Sequence, residues 1–104
     1  MLSIAKSLID WWNEQDVLYC HFKSNEHLLA GLNGDTDLDI LMDPMHRKQG
    51  IAGLHKVGYK QFRSQMGAQY PQVEDWIGMD YETGRLSHIH LHYHLITGQK
   101  YIKE

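Results

Sequence analysis

The chain has 104 residues, 42% hydrophobic and 22% charged, with a formal net charge of −3 at pH 7. That length fits one domain around one core, and the acidic balance excludes a broad basic surface for duplex nucleic acid. The apolar runs are far shorter than a membrane span, and the start Met1, Leu2, Ser3, Ile4, Ala5, Lys6 lacks the plan of a secretory signal, so a cytoplasmic protein away from membranes is expected.

Leu2, Ile4, Ala5, Leu8, Ile9, Trp11 and Trp12 recur at the spacing of one helix face, with Lys6, Asp10, Asn13 and Glu14 outside it, which predicts a packing helix over residues 2–15. Its tryptophans are read as core or as a contact between copies in a homo-oligomer. Val17, Leu18, Tyr19, Cys20, His21 and Phe22 then read as a buried first strand, in which the sole cysteine packs as a small hydrophobe. At Lys23, Ser24, Asn25 and Glu26 the chain turns. Ser24 or Asn25 caps a helix through His27, Leu28, Leu29, Ala30 and Leu32, which Asn33 and Gly34 stop. Residues 36–42 are the second strand.

Pro44 suits the first position of another helix, running to His55 and ending near Gly58, although Gly50 and Gly53 each cost about 1 kcal/mol there relative to alanine. Residues 59–62 read as a short strand and 64–72 as a loop. Residues 73–81 and 86–96 read as paired strands joined by Glu82, Thr83, Gly84 and Arg85, before a polar tail over 99–104. The order predicts one domain over 1–104, an α/β two-layer sandwich with a mixed sheet.

Two stretches carry chemistry. In Thr36, Asp37, Leu38, Asp39, Ile40, Leu41 and Met42, strand alternation turns Thr36, Leu38, Ile40 and Met42 to a core and Asp37, Asp39 and Leu41 to the other face. Carboxylates two apart stand roughly 7 Å apart at the Cα, close enough to grip one divalent cation. Alternation likewise puts His88, His90, His92 and His94 on one face of the last strand, and Ile89, Leu91, Tyr93 and Leu95 on the other. One or two of these histidines reaching the ion of Asp37 and Asp39 would favour a transition metal such as Mn²⁺, Zn²⁺ or Ni²⁺. All four cannot share one ion, since His88 and His94 are roughly 20 Å apart on an extended strand. The turn at Lys23 and Ser24 is the third element: free N–H groups and partial positive charge at a helix start suit a phosphate.

A strand, a serine-containing turn, a helix and then Gly34 followed by Asp37, Leu38 and Asp39 resemble the nucleotidyltransferase superfamily of the DNA polymerase beta type. Phe22, Lys23 and Ser24, the stretch 36–41 and the run His90, Leu91, His92, Tyr93, His94, Leu95 look most similar to uncharacterised bacterial nucleotidyltransferase-like proteins. The resemblance covers about residues 17–96. It implies a nucleotidyltransferase-like fold and transfer of a nucleoside monophosphate from an NTP to an acceptor hydroxyl with Mg²⁺ or Mn²⁺. Lys23 and Ser24 would hold the triphosphate, and Asp37 and Asp39, with His90 and His92, the metal. It also implies that the chain is the catalytic core of a longer protein.

Lys23 stands where the family usually has glycine, and His90 stands where its third carboxylate would fall. Three readings follow: His90 substitutes with a different metal, Asp80 on the neighbouring strand supplies the oxygen, or activity is lost. Two other functions therefore stay open, an inactive nucleotide- or metal-binding relative acting as a regulatory or antitoxin-like module, and a histidine-rich metallohydrolase. Glu26 and Glu74 are expected as helix-turn and surface carboxylates, and Trp76 is a candidate flank of the site. His21, His27, His46 and His55 have no assignment.

Overall fold

Two strands whose inward side chains are apolar except for Ser87 make the centre of the molecule. In the computed structural model, which describes residues 1–22, 24–62 and 73–93, β2 (Leu38–Met42) and β5 (Leu86–His92) pair in parallel. Leu38, Ile40, Met42, Ile89 and Leu91 are no more than 1% exposed, and each such side chain contributes about 1.5–3 kcal/mol by leaving water. Around this pair the sheet takes the order β1-β2-β5-β4-β3, with β1 (Tyr19–His21), β3 (Lys60–Phe62) and β4 (Val73–Met79) joined by antiparallel ladders. The helices α1 (Ser3–Glu14) and α3 (Arg47–Val57) bring Leu8, Trp12 and Leu54 to the aliphatic face. Between β1 and β2, α2 (Asn25–Leu32) lies against the start of β2, where Gly31 meets Leu38. The expected α/β architecture and mixed sheet are therefore present.

Several boundaries move for identifiable reasons. The expected strand over 17–22 contracts because Asp16, at φ 58°, closes α1 and the Val17 N–H donates to the Trp12 carbonyl at 2.9 Å. β1 is an edge strand rather than a buried one, so Cys20 is an exposed free thiol and not a packed hydrophobe. The helix expected from Pro44 begins as a 3₁₀ turn, Pro44–His46, capped by Asp43 Oδ1 accepting from the Met45 N–H at 2.9 Å, and α3 ends at left-handed Gly58 as expected. The strands expected over 73–81 and 86–96 are β4 and β5. Lys23, the loop expected over 64–72, residues 94–96 and the tail over 99–104 lie outside the described residues.

Gly50 and Gly53, unfavourable for α3 by propensity, are there for close approach. A Cβ on Gly53 would stand 2.5 Å from the Trp11 ring, and one on Gly50 2.2 Å from the Met42 sulfur. The Trp12 indole N–H donates to the Gly50 carbonyl at 3.0 Å, so the missing side chains let α1 and α3 share one layer.

Asp80 is 1% exposed and ties the start of α1 to the turn after β4. Its carboxylate accepts from the Ile4 N–H at 3.0 Å and from the Thr83 N–H and hydroxyl at 3.0 and 2.8 Å. Burial alone would raise its pKa, but these donors and the Ser3 N–H outweigh that and hold the carboxyl below the usual range.

Gly53→Ala is expected to lower stability in urea unfolding by about 1–3 kcal/mol through overpacking, against the helix-propensity gain of about 1 kcal/mol. Because the folded pKa of Asp80 is depressed, its contribution is present above its unfolded value, about pH 4, and is lost as pH falls through the folded value. Asp80→Asn should therefore be less stable than wild type at neutral pH, with the two stability curves converging on acidification.

Candidate metal centre

The face of the sheet opposite α1 and α3 carries the chemistry. Parallel pairing of β2 with β5 sets Asp39 opposite His90 and Leu41 opposite His92, and the antiparallel ladder from β5 to β4 sets His90 opposite Asp75. Asp75, His90 and Asp39 thus form one row across three strands, with His88 and Asp37 in the next row. Asp37 precedes β2 at the rim and is 40% exposed, whereas Asp39 is 9% exposed. From α2, His27 reaches over Asp39, placed there by the first helical turn, in which Ser24 Oγ accepts from the His27 N–H at 3.2 Å.

The contacts are short and mixed in type. Asp37 lies 3.0 Å from His88 Nδ1 and 3.2 Å from His90 Nε2. Asp39 lies 3.2 Å from His27 Nε2, 3.4 Å from His92 Nε2 and 3.6 Å from His90 Nδ1. Asp75 lies 3.1 Å from His90 Nε2 and 3.6 Å from His88 Nε2. Among the described residues, no lysine or arginine comes within salt-bridge distance of these three carboxylates.

Two groups of three can each hold a metal ion: Asp37, His88 and His90, and Asp39, His90 and His92. Their ligand atoms lie within 4.8 Å of one another. Ligands about 2.0–2.2 Å from one tetrahedral ion stand about 3.3 Å apart, which the carboxylate-to-imidazole separations of 3.0–3.6 Å bracket. Nε2 of His27 and of His88 are buried and make no hydrogen bond although carboxylates stand nearby. Ring nitrogens aimed at acids without hydrogen-bond geometry suit ligation. The donor set, imidazole with carboxylate, suits Mn²⁺ or Zn²⁺ better than Mg²⁺, which prefers six oxygens.

Of the expected site residues, Asp37, Asp39, His90 and His92 meet on this face. Ser24 is the N-cap of α2, its hydroxyl engaged with His27, while Lys23 and His94 lie outside the described residues. Asp80 does not supply an oxygen: it is buried in the turn after β4 and bound to the start of α1.

The acid that β4 brings to this face is Asp75, beside His90 and His88, and strand parity could have found it, since Asp75 alternates with Glu74 and Trp76. Glu74 is not a surface carboxylate but 8% exposed on the helix-covered side. There Arg47 donates to its Oε2 through Nη2 at 2.6 Å and Nε at 3.0 Å, and Trp76 Nε1 and the Tyr93 hydroxyl donate to its Oε1 at 3.2 and 3.0 Å. Burial, with the Glu74 charge, raises the Tyr93 pKa. Trp76, 1% exposed, is core and not a flank of the site. Of the unassigned histidines, His46 Nδ1 accepts from the Leu18 N–H at 2.8 Å, His55 packs edge-on to Trp76, and burial lowers the pKa of His21.

No family model matches the chain, and no curated protein or solved structure matches it. Among the described residues no helix is long and apolar enough to cross a membrane.

Zn²⁺ or Mn²⁺ at 100 times its dissociation constant should stabilise the wild type by about 2.7 kcal/mol, read as a rise in Tm. Asp39→Asn should lose most of that rise; an equal rise in the variant would place the ion elsewhere.

Proposed function

We propose that the chain is a metal-dependent nucleotidyltransferase, moving a nucleoside monophosphate from an NTP to an acceptor hydroxyl. The observation that carries this reading is the row Asp39–His90–Asp75 with Asp37 beside it. Two carboxylates at alternate positions share an open face, and the neighbouring strands bring an imidazole and a third carboxylate to them. The order of elements supports it too, since β1, the Ser24 turn, α2 and the aspartate strand follow one another as in the family that the sequence resembles. The imidazoles make Mn²⁺, or a related transition ion, the favoured metal.

In this mechanism Asp39, His90 and His92 would hold the ion, with Asp37 beside them at the rim, and the ion would supply a Lewis acid for a phosphoryl oxygen. Ser24 fixes the first turn of α2, whose free N–H groups attract phosphate. The exposed rim at Asp37 and His88 is the side open to a substrate. The acceptor hydroxyl gives its proton to an imidazole of this face as its oxygen bonds to the α-phosphorus, the bond from that phosphorus to the β-phosphate oxygen breaks, and pyrophosphate leaves. His90 replacing the family's third carboxylate favours a second reading, a nucleotide- or metal-binding module without turnover.

Incubation with each NTP and Mn²⁺ or Mg²⁺ decides between them. Pyrophosphate release is expected, greater with Mn²⁺, and Asp37→Ala or Asp39→Ala should lower it by more than about 100-fold, the upper range for changes outside the ligand shell. Metal-dependent nucleotide binding without pyrophosphate would establish the binding module instead.

A further inference from the structure

His90 belongs to both candidate ligand groups and cannot complete both while neutral. A neutral imidazole has one N–H and one lone pair, so only one of its nitrogens can bind an ion. Nε2 of His90 stands 3.1 Å from Asp75 Oδ1 and 3.2 Å from Asp37 Oδ2, whereas Nδ1 stands 3.6 Å from Asp39 Oδ1. Two carboxylates therefore favour a proton on Nε2. Metal-bound histidines commonly give their second ring N–H to a carboxylate, which fixes tautomer and ring orientation. Asp75 belongs to neither ligand group.

We propose that Asp75 is a positioning residue: it holds the His90 proton on Nε2, so that the Nδ1 lone pair faces Asp39 and one ion is bound by Asp39, His90 and His92. This rests on the metal-centre reading and not on nucleotidyl transfer. Burial favours the same position, because Asp39 is 9% exposed against 40% for Asp37, and its near neighbours are imidazoles from three different positions, His27, His90 and His92. A divalent ion brings to such a buried carboxylate the positive charge that neutral imidazoles do not. Asp37 and His88 then remain as a more exposed pair at the rim.

Long-range ¹H–¹⁵N spectra of the ion-free protein test the tautomer, and Zn²⁺ titration of the same samples tests the ion. In the wild type His90 is expected as the Nε2–H form. Asp75→Ala should lose that preference and bind Zn²⁺ about 10–100-fold more weakly with its fold intact by thermal unfolding, the loss typical of a partner outside the ligand shell. Asp39→Asn should weaken Zn²⁺ binding more than Asp37→Asn does. A wild-type His90 protonated on Nδ1, unchanged affinity in Asp75→Ala, or the reverse order of the two aspartate variants would overturn the proposal. Absence of Zn²⁺ binding by the wild type would defeat the metal reading itself, while the tautomer still reports on Asp75.

Discussion

The parallel register of β2 on β5 is the constraint on which the site depends. Because side chains alternate on a strand, one setting decides both faces: Ile40 beside Leu91 under the helices, and Asp39 beside His90 on the open side. A slip of one residue would turn Asp39 into the apolar layer and lift Ile40 to solvent, so burial enforces the register and the register assembles the site. The chemistry needs no separate device to bring acid and imidazole together. Its geometry is fixed by aliphatic side chains that never touch it.

Those side chains are fixed in turn by the helix layer. Trp12 is wholly buried and spans from Tyr19, with ring centroids 4.9 Å apart, to the Gly50 carbonyl, joining α1 to an edge strand and to α3. On β4, Gly78 admits Ile4 and Tyr59, and Tyr59 shares a 2.7 Å hydrogen bond with Ser87 on β5. Burial raises the Tyr59 pKa to about 12, so this contact stays uncharged at neutral pH. Polar groups under the helices are thus met by hydrogen-bond partners, Tyr59 by Ser87 and Glu74 by Arg47, Trp76 and Tyr93. On the open face, by contrast, three acids and four imidazoles among the described residues share contacts.

Periodicity made the two chemical strands readable. The 36–42 and 88–92 stretches alternate, so the faces that carry the acids and the imidazoles follow from side-chain order, while the mixed sheet follows from the order of elements and the 82–85 hairpin connection. What stayed hidden depended on partners far away in the chain. Glu74 and Asp75 are adjacent acids, and only the packing of Arg47 beneath β4 and of His90 beside it tells which is buried and which joins the site. Asp80 looked available because its donors, Ser3 and Ile4, lie at the opposite end of the chain. Cys20 looked apolar by its neighbours, but an edge strand exposes one of its faces. His27 carried no signal of its own: its role comes from the capped turn that sets it over Asp39. The glycines of α3 opposed a helix by propensity, and the contacts that require them belong to tertiary structure.

Glu74 and Asp39 have nearly equal exposure, 8% and 9%, and the fold neutralises them differently. Around Glu74 it supplies a guanidinium through two hydrogen bonds, with an indole and a phenol on the other oxygen, so that charge is compensated at any ordinary pH. Among the described residues it sets only imidazoles against Asp39, and these carry positive charge only when protonated. An arginine would have made Asp39 a permanent ion pair and closed it to ligands. Lone-pair donors instead leave the negative charge to be met by a proton or by a metal ion, the condition under which a buried carboxylate is both tolerable and chemically available.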